Sequence, residues 1–324
     1  MSERRALMPE TKLAGNAIER AGGADVLTSI NRAMRYAKRV SRGFCTAQSK
    51  HRFFISELAM LTGLDVPCAS FETADGSRLR LHAEGVPLGL WQGTYEDRTS
   101  IRVCTDFLRP GDIAIDVGAN IGHFTVAMGN AVGCSGRVIS IEPNPRAHRR
   151  LQENVRLNRL RNVTCERAAM CRDDGAIAPF FVPTRASGEG ALSAKLTYTR
   201  FEKFDVLCRS GERLLSELGL LGQPLALMKI DVEGHEADVL EGFGASLDQF
   251  GCIMFEYELR NIRAAGNSPG EVLDVLGRYG YRVYLCDPDT REARHPHPDL
   301  TGADVVAVRD PTVFRARTGY SLPE

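Results

Sequence analysis

The sequence predicts an α/β fold organised on a mostly parallel β-sheet, with a helical extension ahead of it. Three observations carry that prediction. Between Gly111 and Asp310, short Val/Ile-rich runs alternate with longer stretches of helical periodicity, the pattern of successive βαβ units. The first run ends in a glycine-bearing turn, Asp116-Val117-Gly118-Ala119-Asn120-Ile121-Gly122, that leads directly into a helical stretch. The second run ends in a carboxylate, Glu142, twenty residues beyond Gly122.

In chain order, residues 1 to about 70 read as mainly helical, continuing through Phe53, Phe54, Leu58 and Leu61 to the turn at Gly63. From Phe71 short strand-like pieces take over, which divides the chain into an extension, residues 1–70, and a main domain, residues 71–324. Strands are then predicted at residues 113–117, 137–141, 163–168, 225–230 and 252–256. Helices are expected after Asn120, from Pro145 to about Asn158, from near Glu233, and from Pro269 to about Gly280. Residues 281–286 and 304–308 read as an antiparallel pair closing one edge of the sheet, joined by an irregular loop. More than fifty residues separate the third and fourth strands. That is too long for a plain crossover, so the insertion is expected to serve as a lid or substrate loop.

The composition, 43% hydrophobic and 25% charged with 41 basic residues against 41 acidic, belongs to an ordinary globular chain and excludes a fibrous or disordered one. No apolar run approaches the roughly 18 residues of a membrane span. Charges interrupt the first thirty residues where a signal peptide would need an apolar stretch, so a cytoplasmic protein is expected. The nine cysteines are scattered and never spaced CxxC, which indicates neither a disulfide framework nor a zinc site. The neutral total conceals a basic end, because residues 1–52 hold eleven Lys/Arg against four Asp/Glu. There Leu27, Ile30, Met34 and Ala37 recur at helical spacing, with Arg32, Arg35, Lys38, Arg39 and Arg42 mostly on other faces. Such a helix either packs with its charges solvated or makes a peripheral contact with a membrane surface or an anionic substrate.

The turn after the first strand sits where doubly wound sheets bind cofactors. A nicotinamide-type pyrophosphate is the first candidate, but Asn120 replaces the middle glycine of GxGxxG and Asp116 would repel a pyrophosphate at the helix terminus. The acid suits a cationic ligand, and S-adenosylmethionine carries an ammonium and a sulfonium with no phosphate. Glu142 is placed to accept both hydroxyls of a ribose. A third block, Lys229-Ile230-Asp231-Val232-Glu233-Gly234-His235-Glu236, again ends a predicted strand and crowds acids and a histidine at the same sheet edge. Its plainest structural role would be a helix cap supplied by Asp231.

These blocks, with Leu108-Arg109-Pro110-Gly111-Asp112 before them, Ile141-Glu142-Pro143-Asn144-Pro145, Leu151, Glu153, Asn154, Leu157 and Asn158 between them, and Leu240 and Gly242 at the end, resemble the FkbM family of S-adenosylmethionine-dependent methyltransferases. The resemblance runs from about Tyr95 to Glu258. It implies a Rossmann-like class I methyltransferase fold, a seven-stranded sheet whose last strand is antiparallel, and methyl transfer to hydroxyls of sugars, glycans or natural products. The implied cofactor site comprises Glu96, in a Tyr-Glu pair before the core, together with Asp116, Gly118, Asn120, Gly122, Glu142, Asn144 and Ala168. A small-molecule or glycan acceptor is the expected partner, and no metal is assigned.

Methyl transfer to an alcohol needs alignment and a group to take the hydroxyl proton. Asp231, Glu233 and His235 are the catalytic candidates, with Asp231 ranked first because a helix N-terminus disfavours a cationic imidazolium at His235. Two other functional classes are compatible with parts of the sequence. RNA modification would use the basic helices with Phe53 and Phe54 as phosphate contacts and stacking platform, but the neutral total charge and the lack of an Asn-Pro-Pro-Tyr arrangement disfavour it. A non-catalytic sensor of S-adenosylmethionine would not need the crowded acids after strand four.

Overall fold

The computed structural model describes residues 70–82, 90, 98–183, 190–192, 201–297, 300 and 302–323. The chain divides into two compact units, residues 1–69 with 81–95 and residues 70–80 with 96–324. The basic N-terminal helix, Phe53, Phe54, Tyr95 and Glu96 lie outside the described residues. All elements named below belong to the second unit.

A hairpin of β1 (Ser70–Glu72) and β2 (Arg78–Arg80) precedes α1 (Arg98–Phe107). Next come β3 (Ile113–Val117), α2 (His123–Val132), β4 (Arg137–Ile141), α3 (Pro145–Leu157) and β5 (Val163–Glu166). The insertion then supplies β6 (Ala169–Met170), β7 (Ile177–Pro183), β8 (Phe201–Arg209) and α4 (Gly211–Glu217). The sheet resumes with β9 (Leu225–Ile230), α5 (Glu236–Phe243), β10 (Phe250–Tyr257), α6 (Leu259–Ala265) and α7 (Pro269–Arg278). It closes with β11 (Arg282–Asp287), β12 (Glu292–Arg294), β13 (Ala303–Val308) and α8 (Pro311–Thr318).

The main sheet runs β12-β11-β13-β10-β9-β3-β4-β5. Strands β5, β4, β3, β9 and β10 are mutually parallel, and β13 enters antiparallel between β10 and β11. The predicted mostly parallel Rossmann-like sheet with its antiparallel last strand is therefore present, with one correction: it has eight strands among the described residues, not seven. The added one, β12, pairs with β11 inside the loop predicted to be irregular. The predicted third strand also stops at Glu166, and Ala169–Met170 leave it to pair with β8 in a separate three-stranded sheet, β6-β8-β7.

Strand alternation sorts the core into two layers. On β3, Ile115 and Val117 pack toward Leu214 and Leu215 of α4, Leu240 and Phe243 of α5, and Val272 and Leu276 of α7. Ala114 faces Ile101 and Phe107 of α1, Met128 of α2 and Phe314 of α8. Phe107, Met128, Phe243 and Phe314 are fully buried, each contributing roughly 1.5–3 kcal/mol. Among the described residues no helix is long and apolar enough to cross a membrane. Because β4 and β9 flank β3 on opposite sides, a crevice opens at the carboxyl ends of β3 and β9, where ligands of doubly wound sheets bind.

Candidate functional site

The turn after β3 is built by residues in left-handed backbone conformations: Gly118 at φ +78°, Asn120 at +50° and Gly122 at +88°. Gly118 is required by space as well as by φ. A Cβ there would lie 1.8 Å from the Asp231 carbonyl oxygen, because the β3 and β9 ends meet at this point and the Asp231 N–H donates to the Val117 carbonyl at 3.0 Å. A Cβ on Gly122 would lie 2.6 Å from Leu151 Cδ1, so this glycine lets the turn sit close against α3.

Glu142, only 6% exposed, immediately follows β4 with both carboxylate oxygens held. The Asn120 N–H donates to Oε2 at 2.7 Å and the Asn144 N–H to Oε1 at 2.8 Å, which ties the β3 turn to the start of α3. Burial pushes the Glu142 carboxyl up to about 7, against the pull of those two donors. Asn144 caps α3 through its side-chain oxygen, which accepts from the Arg146 N–H.

Beneath this turn, Asp116 is fully buried. Its Oδ2 accepts from the Thr125 hydroxyl at 2.6 Å, and that hydroxyl lies 2.9 Å from Ser140 Oγ. Lys229, also buried, places its ammonium 4.5 Å from the Phe124 ring centre and 2.9 Å from Asp231 Oδ2. Burial raises the Asp116 carboxyl and the Lys229 charge opposes it.

At the end of β9 the chain makes a second left-handed turn, Glu233 at φ +55° and Gly234 at +99°. The turn postpones the helix predicted near Glu233, so α5 begins at Glu236. Asp231 does not cap it. Glu236 instead reaches back with Oε1 to accept from the Gly234 N–H at 3.1 Å and the Val232 N–H at 3.4 Å. Asn261 donates to Glu233 Oε2 at 2.6 Å and Asn267 to the Gly234 carbonyl at 2.9 Å, bracing the turn from α6 and the loop after it. His235 places Nδ1 3.2 Å from Asp238 Oδ2.

These elements line an open cleft of about 620 Å³, its solvent-filled mouth included. Gly118, Asn120, Glu142, Asn144, Ala168, Asp231, Glu233 and His235 all line it, with Met170, Phe180 and Leu192 forming an apolar wall from the insertion. Two predicted residues are not on its surface. Asp116 lies beneath the floor because its side chain points into the layer under β3, and Gly122 faces α3. Glu96 lies outside the described residues.

Sequence reading missed Glu256. It lies one residue before the end of β10, beside β9, and one carboxylate oxygen from each of Asp231, Glu233 and Glu256 falls within 4.8 Å of the others. Burial, then the charges of Asp231 and Asp304, raise the Glu256 carboxyl to about 8. The available signal was its position as the last acid of a strand that pairs with the Asp231 strand. The insertion, expected from the sequence to be a lid or substrate loop, supplies the apolar wall, whose residues Met170 and Leu192 the sequence did not single out.

Comparison with known proteins places these residues in a wider context. The family described as Methyltransferase FkbM domain matches residues 116–283, just over half of the chain. The hexuronic acid methyltransferase AglP of Haloferax volcanii is 30% identical over 179 residues, which cover 54% of this chain and 66% of that protein. Methyltransferase 1 of Beauveria bassiana is 29% identical over 143 residues, covering 40% and 57% respectively. The matches span less than two thirds of either relative. Among solved structures, a SAM-dependent O-methyltransferase from Thermotoga maritima aligns with a TM-score of 0.38 and 14% identity, covering 75% of this chain and 78% of that one.

Proposed function

The chain belongs to the methyltransferase FkbM domain family, whose cofactor is S-adenosylmethionine, and we propose that it transfers a methyl group to a hydroxyl oxygen of a sugar, glycan or related natural product. The observation that carries this reading is the convergence of Gly118, Asn120, Glu142, Asp231 and Glu233 on one cleft at the sheet's switch point. The sugar class is supported by the Haloferax relative, named for methylation of a hexuronic acid.

The cleft suits the cofactor. Each Glu142 oxygen accepts one backbone N–H, and a carboxylate has about four acceptor sites, so capacity remains for two ribose hydroxyls. Ala168, Met170 and Phe180 offer an apolar surface for a purine. Asp116 and Lys229 act from below as positioning residues, Lys229 by holding one oxygen of Asp231. When bound, the cofactor supplies an electrophilic methyl on a sulfonium.

The chain's own contribution is to align the acceptor and take its proton. Asp231, with its side chain about one third exposed and one oxygen fixed by Lys229, is placed to accept a hydroxyl proton at the cleft edge. Glu233 and His235 line the same edge and hold the acceptor.

The test combines calorimetric titration of S-adenosylmethionine with transfer of an isotopically labelled methyl group to a panel of neutral sugars and uronic acids. Wild type is expected to bind the cofactor and label hydroxyls with alkali-stable ether linkages. Asp231→Asn should bind cofactor within about threefold and lose about 10²-fold or more in kcat. Alkali-labile methyl esters as the only products would overturn the hydroxyl assignment, and undiminished turnover would remove Asp231 from its role.

A further inference from the structure

The insertion sheet holds two thiols in contact. Cys171 immediately follows β6 and Cys208 lies near the end of β8, thirty-seven positions apart, with their sulfurs 2.8 Å from one another. That separation is less than an ångström beyond the ~2.05 Å of a disulfide bond. The backbone on both sides is fixed by hydrogen bonds. The Cys171 N–H donates to the Arg209 carbonyl at 2.9 Å, the Cys208 N–H to the Ala176 carbonyl at 2.8 Å, and the Gly175 N–H to the Cys208 carbonyl at 2.9 Å. The end of β6 is also wedged against α5, where a Cβ on Gly242 would come within 2.1 Å of the Cys171 carbonyl oxygen. Bonding the two sulfurs therefore asks them to close by less than an ångström, between two segments that backbone hydrogen bonds already hold side by side.

We propose that Cys171 and Cys208 form a reversible oxidation site, closed by thiol–disulfide exchange with a low-molecular-weight disulfide such as oxidised glutathione. Cys171 is the half-exposed member and Cys208 the buried one, so Cys171 meets the oxidant. Its thiolate, formed by loss of a proton to solvent, attacks one sulfur of the external disulfide; that bond breaks and one thiol leaves. Cys208, deprotonated in turn, attacks the Cys171 sulfur of the mixed disulfide, and the second external thiol leaves. Two protein thiols are oxidised to one disulfide and one external disulfide is reduced to two thiols. Burial slows the first step by raising the Cys171 thiol, and uncatalysed exchange of this kind takes minutes to hours.

The bond would matter because β6 carries Ala169 and Met170 and β7 carries Phe180, all on the cleft wall. Cross-linking β6 to β8 pins that wall while leaving the acids at the β9 edge untouched. This site does not depend on the identity of the methyl acceptor.

The experiment incubates the full chain with oxidised glutathione, and separately with diamide as a stronger thiol oxidant, then blocks free thiols and maps peptides by mass spectrometry. A peptide linking Cys171 to Cys208, lighter by two hydrogens, is expected under both oxidants and should vanish on treatment with dithiothreitol. The oxidised chain should melt a few degrees higher and show slower amide exchange in β7 and β8. Cys208→Ser should abolish the linked peptide and leave Cys171 as a mixed disulfide with glutathione. If Cys208→Ser folds poorly, Cys171→Ser gives the complementary result, with no modification at Cys208. Free thiols at both positions under both oxidants, or Cys171 linked to a different cysteine, would overturn the proposal.

Discussion

Two residues concentrate the site's physical constraints. At Gly118 the close approach of β3 to the Asp231 carbonyl leaves no room for a methyl group, and φ is +78°. Gly118→Ala must displace backbone rather than a side chain, and we expect it to cost roughly 2–4 kcal/mol, read as a lower urea midpoint with unchanged m-value. At Glu142 the constraint is electrostatic. Its carboxyl sits at about 7 through burial, and the ionised form is the better acceptor for hydroxyls. Cofactor affinity should therefore rise with pH through about 7, weaker by several-fold to tenfold at pH 6 than at pH 8. Glu142→Gln should bind about tenfold or more weakly at pH 8, as a charge-assisted bond is lost, and show a flat pH profile across that range. Equal pH profiles for the two proteins by calorimetry would remove Glu142 from the binding site.

Among the elements, the β1–β2 hairpin is fastened to α3 by two asparagines one helical turn apart. Asn154 Oδ1 accepts from the Arg80 N–H at 2.8 Å and its Nδ2 donates to the Ile121 carbonyl at 2.7 Å, while Asn158 makes the same kind of pair with Arg78. Asn154 is fully buried and also touches the turn leading into α2. Asn154→Ala removes one partner from the part-buried Arg80 N–H and one from the buried Ile121 carbonyl and should cost about 1–3 kcal/mol, whereas the exposed Asn158 bonds are worth less than about 1 kcal/mol. Chemical denaturation of the two variants checks the ordering. This latch also shows what the sequence could and could not disclose. Asn154 and Asn158 belong to a motif visible in the chain, and β3, β4 and β9 are found where alternating apolar runs predicted them. Those signals are local: an apolar period, a glycine turn, a terminal acid. Glu256, the hairpin's docking and the β6-β8-β7 sheet depend on which distant segments pair, and short strands such as β6 and β12 carry no period long enough to read.

For the whole molecule, the same burial that builds the site sets a pH dependence of stability. Three glutamates, Glu142 and Glu236 buried and Glu256 partly so, are raised from 4.5, the first two to about 7 and Glu256 to about 8, each by burial first. In the unfolded chain they ionise near their ordinary value, so between about pH 5 and 8 the folded state binds more protons than the unfolded one. These three carboxyls make stability fall as pH rises through this window, since its slope follows the protons bound by the unfolded state minus those bound by the folded state; His148, lowered by burial, opposes them at the acid end. Asp75 and Asp238 are lowered in the folded state by His123 and His235, and their contribution is lost only in acid, below the window. Each raised glutamate contributes at most about 1.4 kcal/mol per pH unit while it alone differs between states. The melting temperature without cofactor is expected to decline from pH 6 to pH 8.5. Glu236 is the cleanest handle: Glu236→Gln keeps an oxygen for the Gly234 and Val232 N–H groups and cannot ionise. That variant should lose part of the decline and be more stable than wild type at pH 8.5, with little difference at pH 6. A melting temperature that holds level or climbs across this interval would show that these carboxyls are already ionised in the folded protein.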